Sequence, residues 1–175
     1  YIPNAPTFNR RLIKEKRAGL IYTGTAWGPF GFGYCLDYLK EYPNEQLFVL
    51  GAVKDKLIKK SAAYQQLILN KRLLITDKYI PDADVVEFIS GYEIGFCFYN
   101  FNYPWINNFN YLSAPSGKLF KYLAAGIPVI CNKTIGFAFV DEFECGLQIE
   151  NFDPESIKAA IDKIRNTYGH YVPGA

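Results

Sequence analysis

The feature that most constrains this chain is a regular alternation of short apolar runs with segments whose apolar residues recur at helical spacing. The runs at 47–51 and 94–99 are apolar over their whole length, which is typical of strands covered on both faces of a sheet. Strands are predicted at 20–24, 47–51, 73–76, 94–99 and 128–131. Helices are predicted at 33–42, 54–70, from Asp84, at about 116–125, at 137–144 and from Asp153. The alternation predicts an α/β fold with a doubly wound, mostly parallel sheet of Rossmann-like β/α units.

Two helix starts carry their own signals. Asp84 is followed three residues later by Glu87, the spacing of a capping box. Asp153 and Pro154 supply an N-cap and a first helical residue for the last helix.

Ligands of doubly wound sheets bind outside the carboxyl ends of the strands. In this chain those ends lead into the segments 24–33, 51–54, 77–81, 100–116 and 132–136. We therefore expect the functional residues to lie in these five segments.

Length, composition and charge limit the functions that are possible for this chain. The chain has 175 residues, half of them hydrophobic, which suits one domain with a sizeable core. A net charge of +2 is too small to indicate nucleic-acid binding. A basic cluster near the start is expected to be a solvated segment. The alternative is that it contacts anionic lipid headgroups at the membrane periphery. This cluster consists of Arg10, Arg11, Lys14, Lys16 and Arg17.

The four cysteines and the single histidine do not have the spacing of a zinc site. Cys97 and Cys131 fall within apolar runs and are expected to be small buried hydrophobes, which favours a reducing, cytoplasmic setting. No apolar stretch reaches about 18 residues, so no membrane span is predicted. Because the chain contains no Met, we expect it to be part of a longer protein.

Two nucleotide-binding motifs are present only in part. Gly31 and Gly33 begin like a dinucleotide fingerprint, but Leu36 stands where the third glycine belongs, and Gly51, not an acidic residue, ends the second strand. Gly117-Lys118 resembles the end of a P-loop, yet a preceding glycine and a following Ser or Thr are missing. These departures disfavour a nicotinamide or flavin dinucleotide and an ATPase.

The segment Ser116-Gly117-Lys118 nevertheless suits an anion. Ser116 can cap a helix, Gly117 has no side chain to block a ligand, and Lys118 adds a positive charge beside the free N–H groups of the first turn. Ordinary helix capping is the alternative explanation of the same residues.

A longer run points to a family. Residues 116–130 read SGKLFKYLAAGIPVI, which resembles the S-x-K-L-x-E-Y-L-A-A-G-x-P-V-I segment in the C-terminal domain of GT-B glycosyltransferases of group 1 (family 4-like). Ile2-Pro3-Asn4-Ala5-Pro6 is similar to the segment that links the two domains of these enzymes. Residues 153–157 (DPESI) are similar to the start of a late family helix. The resemblance implies a linker at 1–18 and a nucleotide-sugar-binding domain at 19–175.

The resemblance also implies roles for matched positions. The amides of Ser116 and Gly117, with Lys118, would hold the donor diphosphate, and Gly24 and Thr25 would lie near the phosphates. Tyr79 and Ile80 would flank the base. The loop at 100–113 would face the sugar, and its Asn and aromatic residues suit sugar hydroxyls and C–H faces. Trp105 and Asn110 are the best sugar-side candidates in that loop, whose alternative is an aromatic cluster folded on itself.

One position departs from the family pattern. The family carries a Glu-x7-Glu pair whose second Glu binds the ribose, whereas this chain has Ser113 and Lys121 at the two places. A lysine cannot accept hydrogen bonds from ribose hydroxyls. Three interpretations stay open: the ribose is held by another group, Lys121 points to solvent, or the chain is a diverged or inactive relative.

The implied reaction is sugar transfer from a nucleoside diphosphate donor to an acceptor hydroxyl, in glycan or polysaccharide synthesis. The resemblance favours UDP- or GDP-linked donors over ADP-linked ones, with no other cofactor and no metal, since no Asp-x-Asp motif is present. It also implies retention of anomeric configuration. In GT-B enzymes the glycan or lipid-linked acceptor binds mostly to the N-terminal domain, so this chain by itself offers no catalytic base and is expected to be inactive alone.

Two other functions remain in competition. A nucleotide-sugar 2-epimerase would share the fold, but it needs groups for proton abstraction, and the chain has one histidine, His170. A non-catalytic, degenerate sugar-nucleotide module is the second alternative, and Lys121 is its best support.

Overall fold

The sheet is parallel throughout. In a computed structural model, which describes residues 17–113 and 116–172, six strands lie in the order β3-β2-β1-β4-β5-β6. The strands are β1 Leu20–Thr23, β2 Leu47–Leu50, β3 Leu73–Thr76, β4 Ile94–Cys97, β5 Val129–Asn132 and β6 Gly146–Ile149. The predicted doubly wound α/β fold is confirmed. The order reverses between β1 and β4, which is the point where sheets of this kind form a binding crevice.

Helices cover both faces of the sheet. They are α1 Phe32–Glu41, α2 Lys56–Lys60, α3 Ala62–Leu69, α4 Asp82–Ile89, α5 Phe109–Ser113, α6 Gly117–Ala124, α7 Phe139–Glu142, α8 Pro154–Asn166 and α9 Tyr168–Tyr171. One apolar core lies beneath α1 and α8, and the other lies beneath α4, α6 and α7. The central strands β1, β4 and β5 are buried over their whole length, as their continuous apolar sequences predict.

A tyrosine side chain bridges the two strands at the switch point. Pairing of β1 with β4 ends after Ile21 and Gly95. Beyond that pair, the hydroxyl of Tyr122 on α6 accepts a hydrogen bond from the Thr23 backbone N–H (2.7 Å) and donates to the Phe96 carbonyl oxygen (3.2 Å). Burial raises the pKa of Tyr122, so the hydroxyl keeps the proton that it donates. The tyrosine thus satisfies two buried backbone groups that the separated strands cannot pair.

Gly95 makes room for this arrangement. A Cβ atom added at Gly95 would lie 2.5 Å from the ring carbon Cδ2 of Tyr122. Helix α6 can therefore pack closely on β4 because one residue of the strand has no side chain. The position of α6 on the sheet is set by this contact.

Several predicted boundaries are wrong. The single helix at 54–70 is two helices, because Ser61 is extended (φ −67°, ψ 140°) and its hydroxyl accepts from the Tyr64 N–H to start α3. The fourth helix begins at Asp82 after Pro81, so Asp84 lies inside the first turn and forms no capping box. Strand β6 was not predicted, and the predicted loop at 100–113 contains α5.

Most of the predicted linker lies outside the described residues, including Arg10, Arg11, Lys14 and Lys16 of the basic cluster. Arg17 is described, and its guanidinium donates to the carbonyl oxygens of Ala125 (2.9 Å) and Gly126 at the end of α6. A cation at this place stabilises the carboxyl end of a helix. In the parts of the chain that the structure describes, no helix is long and apolar enough to cross a membrane.

The bridging tyrosine yields a stability prediction. Tyr122→Phe removes the hydroxyl and leaves the Thr23 N–H and the Phe96 carbonyl buried without a partner, so we expect the free energy of unfolding to fall by about 1–3 kcal/mol. Denaturant unfolding measures the loss. Tyr64→Phe is the matched control, because Tyr64 is half-buried and its hydroxyl has no hydrogen-bond partner within the described residues. Equal effects of the two variants would contradict the bridging role.

Candidate functional site

The loop that follows β1 forms one wall of the candidate site. The Tyr22 hydroxyl lies 2.8 Å from the carbonyl oxygen of Phe30 and 3.1 Å from that of Thr25, and it ties the two ends of the loop together. A backbone bridge between Ala26 and Val53 fastens the middle of the loop to the segment after β2. The loop is therefore held at the carboxyl edge of the sheet, where ligands of this fold class bind.

The glycine that ends β2 explains why a dinucleotide fingerprint is absent. Gly51 has φ +148°, and a Cβ atom there would collide with the carbonyl group of Gly24. The backbones of the first two strand ends approach so closely that an acidic side chain cannot stand at this position. Gly24 itself has φ +90°, which favours glycine, and the space around it is open.

The start of α6 forms the opposite wall. Ser116 occupies the N-cap position and is buried, but its side chain makes no capping hydrogen bond, contrary to the prediction that it caps the helix. It faces Cys97 and Tyr99 instead. A Cβ atom added at Gly117 would meet nothing within 4 Å, so the first turn is open to a ligand. Free N–H groups and the helix dipole make such a turn attractive to anions.

Lys118 connects the two walls. Its ammonium nitrogen lies 4.3 Å from the centre of the Tyr22 ring and 5.7 Å from that of Phe30. The Nζ atom is buried, although the residue as a whole is only half-buried, and it has no hydrogen-bond partner within residues 17–113 and 116–172. Contact with an aromatic face contributes on the order of 2 kcal/mol for a desolvated ammonium, which offsets only part of a desolvation cost of several kcal/mol.

No negative charge faces this ammonium from the described elements packed around it. Desolvation by burial lowers the pKa of Lys118, while the thiols of Cys35 on α1 and Cys97 on β4 act in the opposite direction. Burial raises the pKa of both thiols and that of the Tyr22 hydroxyl, so all three groups are neutral near pH 7. Within the described residues, the ammonium therefore has no counter-ion.

An aromatic surface lies beside this ammonium and consists of Trp27, Phe30, Trp105 and Tyr111. The ring centres of Trp27 and Trp105 are 5.4 Å apart, and Trp105 packs edge-on against Phe30 and Tyr111. Trp27 remains 37% exposed and Trp105 42% exposed. Both tryptophans are therefore partly packed and partly available to a ligand.

The structure brings together only some of the predicted site residues. Thr25, Lys118 and Trp105 are connected through Tyr22 and Phe30, and Gly24, Ser116 and Gly117 adjoin Thr25 and Lys118 along the chain. Tyr79, Ile80 and Asn110 lie apart from this group. Tyr79 is 88% exposed, and Ile80 packs against the core beneath α4 and α6. Asn110 is exposed on α5, where its backbone N–H bonds to Asn108.

Sequence reasoning missed three residues of this region. Trp27 could have been found, because it is a large aromatic residue in a loop at the carboxyl edge. The side chain of Asn132, at the end of β5, accepts a hydrogen bond from the backbone N–H of Tyr99 (2.7 Å) and donates one to the Tyr99 carbonyl oxygen (2.9 Å). No local sequence pattern predicts this pairing. Asp82 was missed because its partner, Lys121, is distant in sequence.

Among the described residues, no group of three His, Cys, Asp or Glu side chains is arranged to hold a metal ion. The four cysteines are free and buried. The region thus combines an open helix start, a buried ammonium and an aromatic surface.

Comparisons with known proteins identify the fold. No family model and no curated protein matches the sequence. Among solved structures, the C-terminal domain of a glycosyl transferase group 1 family protein (LpcC) from Francisella tularensis aligns with a TM-score of 0.59 and 17% identity, over 97% of this chain and 89% of that one.

Two longer proteins also align. The pneumococcal O-GlcNAc transferase GtfA, in complex with UDP and GlcNAc, matches with a TM-score of 0.63 and 12% identity over 98% of this chain. A UDP-N-acetylglucosamine 2-epimerase from Listeria monocytogenes, described as putative, matches with a TM-score of 0.55 and 14% identity over 96% of this chain. The chain spans 34% and 42% of these two proteins. Together the alignments confirm the expected fold, that of the C-terminal domain of GT-B glycosyltransferases.

Because its ammonium is buried, Lys118 is expected to lower the free energy of unfolding. Lys118→Met keeps most of the side-chain volume and removes a buried donor without a partner, so we expect the free energy of unfolding at pH 7 to rise by about 1–3 kcal/mol. The folded-state pKa of Lys118 lies below its ordinary value of 10.5, so the unfolded chain binds more protons between the two values. The stability difference between variant and unaltered chain should therefore shrink as the pH rises through the folded pKa. Urea unfolding at several pH values tests this, and a less stable variant at pH 7 would contradict it.

Proposed function

We propose that this chain is the donor-binding domain of a glycosyltransferase and holds a nucleoside diphosphate sugar. The observation that carries the proposal is the buried Lys118 ammonium, which lies beside the open first turn of α6 and has no hydrogen-bond partner among the residues that the structure describes. A buried charge without a partner lowers the stability of the fold, and such groups cluster at functional sites, where a ligand supplies the partner. The fold supports the same function, because several proteins of this fold are glycosyltransferases.

The diphosphate would occupy the space between the start of α6 and the loop after β1. The amides of Ser116 and Gly117 would donate to it from the helix start, where a Cβ atom at Gly117 would meet nothing within 4 Å. Gly24 and Thr25 would border it from the other side, because the Tyr22 side chain contacts both Thr25 and Lys118. A diphosphate would give the Lys118 ammonium its missing counter-ion. The same contact would raise the pKa of Lys118, so binding is favoured when the lysine is protonated.

The arrangement suits the chemistry of sugar transfer. When the bond between the sugar and the diphosphate breaks, negative charge grows on the phosphate oxygens. Fixed N–H donors and an ammonium in a water-poor site stabilise that charge without reorganising. The acceptor hydroxyl, a glycan or lipid-linked sugar, and the group that takes its proton would come from an N-terminal domain.

The sugar and the base would lie on either side of the diphosphate. Trp27 and Trp105 offer partly exposed ring faces to the C–H face of a sugar, and Asn110 is an exposed amide in the same loop. Tyr79 and Ile80 would flank the base. A UDP-linked donor is the first choice, because GtfA was crystallised with UDP and another protein of this fold with UDP-2-fluoro glucose.

Two alternatives are less well supported. A nucleotide-sugar 2-epimerase shares the fold. However, His170 pairs with Glu144 (3.3 Å) near the start of β6, at the opposite edge of the sheet from the candidate site. A non-catalytic binding module would use the same donor site without transfer. Product analysis of a protein that joins this chain to its N-terminal half would separate transferred sugar, epimerised nucleotide sugar and neither.

The cellular setting belongs to the proposal as well. Four free, buried cysteines support a reducing cytoplasmic environment. A peripheral membrane contact at the inner face would bring a lipid-linked acceptor to the cleft. Retention of the anomeric configuration is proposed on the family resemblance alone.

Calorimetric titration with UDP, GDP and ADP tests the donor site. We expect saturable binding of one nucleotide, and Lys118→Ala should weaken it about tenfold or more, because a charge-assisted hydrogen bond is lost. Lys40→Ala is the matched control, since Lys40 is exposed near the end of α1 and has only a 3.9 Å contact with Asp37. Absence of binding by the folded chain, or equal effects of the two variants, would contradict the proposal.

A further inference from the structure

The ion pair between Lys121 and Asp82 lies one helical turn from the proposed diphosphate site. Lys121 is three residues after Lys118 on α6, and its ammonium lies 2.7 Å from Oδ1 of Asp82, the first residue of α4. The side chain of Asp82 is 88% exposed, and that of Lys121 is 32% exposed. The pair therefore joins the start of α4 to the last turn of α6 at the surface.

The carboxylate of Asp82 has unused capacity to accept hydrogen bonds. Lys121 contacts Oδ1, and Oδ2 has no hydrogen-bond partner in the described part of the chain. The hydrogen bond from Lys121 also lowers the pKa of Asp82, so the group is a carboxylate at neutral pH. An exposed carboxylate with a free oxygen can accept from a pair of adjacent hydroxyl groups.

We propose that Asp82, held in place by Lys121, accepts hydrogen bonds from the ribose hydroxyls of the bound nucleotide. This inference rests on the proposed function. Lysine offers donors only, so residue 121 cannot serve the ribose directly. The acceptor instead comes from the neighbouring helix, and Lys121 is a positioning residue.

The order of groups along the edge agrees with the order of groups in a nucleotide. Tyr79 precedes Asp82 by three residues and exposes its ring, while Lys118 precedes Lys121 by one turn. Residues three apart on a helix have Cβ atoms about 5–6 Å apart, a span that suits adjoining groups of one ligand. Base, ribose and diphosphate would then meet Tyr79, Asp82 and Lys118 in that sequence.

The charge of Lys121 also has a physical reason. A carboxylate beside a diphosphate would repel it, and an adjacent ammonium offsets that repulsion. Asp82 additionally stands in the first turn of α4, where a negative charge is favoured by the helix dipole. The pair thus presents an acceptor to the ribose without opposing the phosphates.

Calorimetry with nucleotides that differ only in the ribose tests this inference. The full 175-residue chain is titrated with UDP, GDP and ADP, each beside its 2′,3′-dideoxy counterpart. We expect the ribonucleotide to bind about tenfold more tightly, because hydrogen bonds to a charged acceptor are lost in the dideoxy form. In Asp82→Asn, affinity for the ribonucleotide should fall toward that of the dideoxy form, whose own affinity should not fall.

Four further variants define the roles. Asp84→Asn is the matched control, because it removes the same charge from the same helix turn at an exposed residue that forms no ion pair among the described residues, and it should keep the preference for ribose. Lys121→Arg should keep the preference, whereas Lys121→Met should reduce it. Lys121→Glu in the Asp82→Asn background should restore it by placing a carboxylate on α6. Thermal unfolding of each variant checks that the fold is intact.

The outcomes separate the two proposals. If binding depends on Lys118 but Asp82→Asn keeps the full preference for ribose, the ribose assignment is wrong and the donor site stands. If no nucleoside diphosphate binds, or if binding ignores Lys118→Ala, the donor site is wrong and the ribose assignment falls with it.

Discussion

The structure depends on the contact between Tyr122 and the sheet at the point where β1 and β4 separate. The hydroxyl pairs the Thr23 N–H with the Phe96 carbonyl, and the ring lies on Gly95. This one side chain lets the strands diverge without leaving buried polar groups unpaired. It also fixes how far α6 stands from the sheet, and therefore where the first turn of α6 meets the loop after β1.

The candidate site is built at a cost to stability. Lys118 leaves α6 at its first turn and places its ammonium over the Tyr22 ring, where neutral groups surround it. A methionine would fit a site of this kind better in the absence of a ligand. Such a conflict between local stability and sequence is typical of functional positions. The Tyr22 hydroxyl also contacts the carbonyl oxygens of Thr25 and Phe30 in the loop after β1. Tyr22 therefore contacts both this loop and Lys118.

The high aromatic content has a structural use at the carboxyl edge. Phe30 packs against Trp27 and Trp105, and Asn132 fixes the backbone of Tyr99 next to them. The loop at 100–113 is therefore ordered by aromatic contacts with the loop after β1. The loop is in part a cluster packed on itself, since Trp105 packs edge-on against Tyr111, and the proposed sugar-facing role would use the exposed part of Trp105.

The sequence alone determined the fold, because strand and helix periods are local and residues 116–130 carry a recognisable pattern. It also pointed to Ser116, Gly117 and Lys118, which stand in one run. Errors arose where tertiary contacts override local preference: Ser61 divides one predicted helix into two, and β6 forms by pairing with β5 although its own sequence is weakly apolar. Only the tertiary structure decided that the Lys118 ammonium is buried with no hydrogen-bond partner in the described part of the chain, that Trp27 joins Trp105, and that Lys121 pairs with Asp82. These facts join residues that are far apart along the chain, and the packing of helices on the sheet, not the local sequence, brings such residues together.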